Sequence, residues 1–120
     1  MKRKPIPKKI REQVYQKYNG HCAYCGCELE YKDMQVDHLI PVWSQSGSSE
    51  LENLMPACRM CNFYKSTFTL DKFRENLETL HKRLAKTFIY RLALKYGLIQ
   101  ENQKHIKFYF DELEEINDGN

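Results

Sequence analysis

A chain of 120 residues with 42% hydrophobic content fits one compact domain with a helical extension, which leaves a single small site for any chemistry. No run approaches the roughly 18 apolar residues of a membrane span, and no apolar core precedes a small-residue cleavage site. A cytoplasmic protein, prokaryotic or encoded by a phage in its host, is therefore expected. The net charge of +3 hides an asymmetry: Lys2, Arg3, Lys4, Lys8, Lys9 and Arg11 crowd the start, and Asp111, Glu112, Glu114, Glu115 and Asp118 the end. A basic arm suits a polyanion, although charged termini also simply keep a small protein in solution.

In chain order, Pro7 stands where a first helical turn tolerates proline. Ile10, Val14 and Tyr18 then recur four apart until Asn19-Gly20 supplies a left-handed stop. Cys22 to Gly26 reads as a tight turn. Met34 to Ile40 reads as a short extended segment halted by Pro41 and carrying Asp37-His38. Trp43 and the small polar residues from Ser44 to Ser49 predict an exposed loop. Leu51 to Pro56 resumes apolar character, Cys58 to Cys61 makes a second turn, and a helix starting there carries Asn62 and Lys65.

Beyond Thr69, a candidate N-cap, Leu70, Phe73, Leu77, Leu80, Leu84, Phe88 and Leu92 repeat at steps of three and four until Gly97. This predicts one long amphipathic helix. Its apolar stripe is core or a homodimer seam, and its other face carries an excess of lysine and arginine that would lie along a phosphate backbone or in water. Near the end, Ile106, Phe108 and Phe110 alternate like a strand while Tyr109, Leu113 and Ile116 recur like a helix; the helix is preferred. The division expected is 1–68 as the functional core and 69–120 as a helical extension packed on it.

Two Cys-x-x-Cys pairs, Cys22/Cys25 and Cys58/Cys61, let each turn aim two thiolates at one tetrahedral metal, and four sulfurs suit zinc. A thioredoxin-like redox motif is the competing reading, but that motif occurs once, beside a strand-helix unit. Gly26 follows the first pair and Asn62 the second, both residue types that tolerate a left-handed backbone. Cys27 is left as a spare thiol. Zinc with four cysteine ligands has no open position, so it is structural and the chemistry lies elsewhere.

Between and after the pairs stand Val36-Asp37-His38-Leu39-Ile40-Pro41, Glu52-Asn53-Leu54-Met55-Pro56-Ala57 and Asn62 with Lys65. This string, from about Tyr15 to Lys65, resembles the HNH endonuclease family. The resemblance implies a small α+β fold: a ββα-metal core with a structural zinc site, an N-terminal helix and a C-terminal helical extension. It implies cleavage of phosphodiester bonds in DNA, with His38 as the general base, Asp37 and Asn62 as ligands of a divalent cation, and Asn53 as a brace that orients the histidine.

Asn62 stands where the family name has its last histidine, as in some family members. One carboxylate and one amide oxygen make a hard site favouring magnesium or manganese. The chemistry needs a base near neutral pKa and a cation to offset charge building on the phosphate. Successive strand residues face opposite ways, so either the chain bends at Asp37-His38 or His38 approaches the phosphate from the other side. Lys65 and Arg59 are candidate nucleic-acid contacts, and Tyr24, inside the first cysteine turn, is read as an exposed tip. The alternative function is a zinc-dependent nucleic-acid-binding module that cuts nothing.

Overall fold

The computed structural model describes residues 5–41 and 49–118. The basic residues 2–4 and the polar loop expected at 44–49, except Ser49, lie outside them. Two compact units emerge: Met1–Leu70 with Lys107–Asn120, and Asp71–Ile106.

In the first unit, helix α1 (Lys8–Lys17) starts after Pro7 and stops where Asn19 and Gly20 both take positive φ, 54° and 78°. Its Val14 packs with Met34 and Leu54 as the buried centre of a cluster that Ile6, Ile10, Leu29 and Val36 surround. Hence the four-residue spacing of Ile10 and Val14 is a core face. On the same helix the Arg11 guanidinium donates to the carbonyls of Tyr31 (2.9 Å) and Met34 (2.7 Å), which satisfies backbone groups just before the first strand.

Strand β1 (Gln35–His38) pairs antiparallel with β2 (Leu54–Ala57), with Asp37 opposite Met55 and His38 opposite Leu54. Every residue of β2 is buried. Helix α2 (Arg59–Lys65) follows at once, capped by Cys58. The resulting order β1, β2, α2 is the small α+β core expected, with α6 (Tyr109–Asp118) returning to the same unit. Thus residues 107–118 group with the core rather than with 71–106.

The second unit corrects the expectation of one long helix. It is broken into α3 (Leu70–Glu78), α4 (Leu80–Leu84) and α5 (Phe88–Lys95). Threonine hydroxyls supply the physical reason: Thr79 donates to the Glu75 carbonyl and Thr87 to the Leu84 carbonyl, and Thr87 has an extended backbone ahead of α5. Such local bonds compete with the helical ladder, which the apolar period alone does not register. Gly97, at φ 71°, ends α5 as its position predicts. Helix α5 leaves Phe88 and Ile89 exposed. No described helix is long and apolar enough to cross a membrane.

Candidate active site and metal centre

The first cysteine turn closes through two backbone bonds, Gly26 N–H to the Cys22 carbonyl (3.0 Å) and Cys22 N–H to the Cys27 carbonyl (2.8 Å). Gly26 sits at φ 80°, and a Cβ there would meet the Tyr109 ring at 2.9 Å, so only glycine fits. The second turn opens α2, where the Cys61 N–H donates to Cys58 Sγ at 3.4 Å. The left-handed residue expected at Asn62 is instead Ser66, at φ 51°: Asn62 lies inside α2, and Ser66 is the C-cap of that helix.

The four sulfurs of Cys22, Cys25, Cys58 and Cys61 lie within 4.8 Å of one another, and Cys25 and Cys58 are 3.8 Å apart. Sulfurs about 2.3 Å from a tetrahedral zinc stand about 3.8 Å from each other, so the donor set fits that ion in type and spacing. The hydrogen bond with the Cys61 thiol draws the Cys22 thiol down to about 4 and pushes Cys61 up. Cys27 is outside the cluster.

Asp37 and His38 are both buried, at 3% and 5% exposure, on an unbroken ladder. Of the two alternatives read from the sequence, a bend or an approach from opposite faces, the paired register is compatible with the second. The Asp37 carboxylate meets Tyr24 and Lys65: the Tyr24 hydroxyl donates to Oδ2 at 2.5 Å, and Lys65 Nζ stands 2.9 Å from the same oxygen. Both donors go to Oδ2, and among the described residues none goes to Oδ1. His38 Nε2 is 3.3 Å from the hydroxyl of Ser49.

Two further residues fix the backbone around His38. Lys65 Nζ donates to its carbonyl at 2.9 Å. Asn53, itself buried, accepts from the Ile40 N–H (2.8 Å) and donates to the Ile40 carbonyl (2.9 Å), while its own carbonyl takes the Leu39 N–H (2.9 Å). Its turn is tied to α1 in turn, because Lys17 Nζ donates to the carbonyls of Leu51 (3.1 Å) and Leu54 (3.0 Å).

Two sequence readings change here. Lys65, expected at a phosphate on a solvated helix face, is fully buried, because its ammonium is drawn to the Asp37 carboxylate. Tyr24, read as an exposed turn tip, is 3% exposed. Burial and the neighbouring carboxylate push its phenol up, so it stays a donor. Arg59 is exposed at the start of α2, and Asn62 is partly buried on the same helix. Sequence reasoning gave no role to Ser49 or Lys17; neither carries a motif, and only the fold brings them to His38 and to the Asn53 turn.

Residues 22–68 match the family model for the HNH endonucleases. Over that stretch the chain is similar to the HNH endonucleases. The CRISPR-associated endonuclease Cas9 of Corynebacterium diphtheriae is 36% identical over 52 residues, which cover 43% of this chain and 5% of that protein. The Septu protein PtuB of Bacillus thuringiensis is 34% identical over 61 residues, covering 48% of this chain and 24% of the relative. The chain thus spans a small fraction of the length of these relatives. In fold, the crystal structure of the type II-C Cas9 enzyme from Actinomyces naeslundii aligns with TM-score 0.53 and 24% identity, over 63% of this chain and 8% of that one.

Proposed function

We propose that this protein is a metal-dependent endonuclease that hydrolyses phosphodiester bonds in DNA, with water as the nucleophile and no covalent enzyme intermediate. One observation carries the reading: Asp37 and His38 are buried side by side on a strand whose backbone is gripped by Asn53 and Lys65. A solvated surface pair would need no such support.

In this account His38 takes a proton from the attacking water. Asp37 and Asn62 would hold magnesium or manganese. That ion supplies a counter-charge for the phosphate and the leaving oxygen. Asp37 suits the role because Oδ2 is committed to Tyr24 and Lys65 while Oδ1 is not. Asn53 keeps the chain after His38 in one conformation and reacts with nothing. Arg59, exposed on α2, is placed to meet a phosphate. Cys22, Cys25, Cys58 and Cys61 would hold zinc with no coordination position left for water, so that ion binds the two turns together.

A cytoplasmic setting, where thiols stay reduced, suits the four-cysteine cluster. Homodimerisation, with Phe88 and Ile89 of α5 in the seam, would let two sites address two strands; sedimentation reads it directly. The function itself is tested by incubating supercoiled plasmid with the zinc-loaded protein and magnesium, manganese, nickel or zinc in turn. Nicking or linearisation with magnesium or manganese is expected. Retarded but uncut DNA under every metal would leave a zinc-dependent binding module instead.

A further inference from the structure

Tyr24 lies between the cysteines of the first zinc turn, Cys22-Ala23-Tyr24-Cys25, yet its hydroxyl is bonded to Asp37 in β1. On its other side it is held by the segment that enters α6. The Tyr109 N–H donates to the Tyr24 carbonyl at 3.0 Å and the Phe110 N–H to the Ala23 carbonyl at 2.9 Å. The Phe108 and Phe110 rings meet the Tyr24 ring edge-on, with centroids 5.5 and 6.2 Å away, and both phenylalanines are buried. All of 107–110 lies outside the residues that match the family model.

We propose that Tyr24 is a positioning residue for the catalytic cation, and that residues 107–110 are part of the catalytic apparatus because they hold it in place. The proposal rests on the reading of Asp37 as a ligand of that cation. A carboxylate rotates about its Cβ–Cγ bond unless something fixes it. A phenol donating to Oδ2 from a buried, three-sided seat would fix the plane of the group and leave Oδ1 available to the ion. Lys65 supplies charge to the same oxygen, but a flexible four-carbon stem sets direction less firmly than a packed ring. The covalent link from Tyr24 to Cys22 and Cys25 then makes the zinc turn and the catalytic carboxylate one mechanical unit. The apolar pattern around Phe108 and Phe110 is thereby given a purpose beyond filling a core.

The test uses the full-length, zinc-loaded protein and manganese as the probe, with free manganese followed by electron paramagnetic resonance. Tyr24→Phe keeps the ring and removes only the hydroxyl. Outer ligand-orienting groups are typically worth roughly 10–100-fold in metal affinity. Manganese affinity should therefore fall by that order in Tyr24→Phe, with zinc content unchanged and the protein still folded at the temperature of the assay. Asp37→Asn should lose the affinity altogether, and adding Tyr24→Phe to it should cost nothing more. Phe108→Leu should shift the affinity in the same direction by a smaller factor.

Affinity within twofold of the native value in Tyr24→Phe would overturn the proposal. So would loss of zinc or of folding in that variant, which would make the hydroxyl a structural group. An unchanged affinity in Phe108→Leu would overturn the part assigned to residues 107–110. Unchanged affinity in Asp37→Asn would remove Asp37 as a ligand, and that outcome is separate from a failure at Tyr24.

Discussion

Lys65 Nζ lies 2.9 Å from Asp37 Oδ2, and both side chains are almost wholly shielded from water. A buried carboxylate needs a counter-charge, and this ammonium provides one from within the chain. The same ammonium binds the His38 carbonyl, so one lysine anchors both residues of the Asp-His pair.

Lys65→Met removes the charge and keeps most of the stem. Leaving one member of a buried ion pair alone costs about 3–5 kcal/mol, so the variant should melt well below the native protein. Magnesium, bound at Asp37 in this account, would return part of that charge. Millimolar magnesium should therefore raise the melting temperature of Lys65→Met more than that of the native protein. An equal response in both would separate Lys65 from the metal site.

Asn53→Ala orphans the Ile40 N–H and carbonyl, each worth about 1–3 kcal/mol when shielded. Water recovers some of this, since Ile40 is partly exposed. A lowered denaturation midpoint is expected, together with a fall in cleavage rate, because Ile40 lies two residues beyond His38. Cleavage at the native rate at a temperature where the variant remains folded would confine Asn53 to stability.

Cys58 serves twice, as a sulfur of the cluster and as the cap of α2. Cys58→Ser retains a capping oxygen but offers a poor zinc ligand. The variant should fail at folding rather than at catalysis, and stripping zinc from the native protein with a strong chelator should do the same, as circular dichroism would report. A well-folded, zinc-free protein from either route would contradict a structural zinc.

The cysteine framework was the most legible part of the sequence because Cys-x-x-Cys spacing is set by local turn geometry, and the sulfurs do converge. The α1 boundaries were legible for the same reason: Pro7, Asn19 and Gly20 act within a turn of themselves. Tyr24 and Lys65 were not. Their roles depend on what β1 and α2 bring within reach, and a tyrosine in a turn or a lysine on a helix is ordinarily solvated. The long helix failed as an expectation at Thr79 and Thr87, where a hydroxyl outweighed an unbroken apolar period. In the final segment the preferred helix forms from Tyr109, while Phe108 and Phe110 are buried without pairing in a strand.

The central claim is that one metal holds the site together while His38 works in it with another. Zinc content and magnesium-dependent plasmid cleavage, measured on the same preparations of native protein and His38→Ala, test it most directly. The account predicts equal zinc in both, equal melting temperatures within a few degrees, and cleavage only by the native protein. Cleavage by zinc-loaded His38→Ala at the native rate would contradict it.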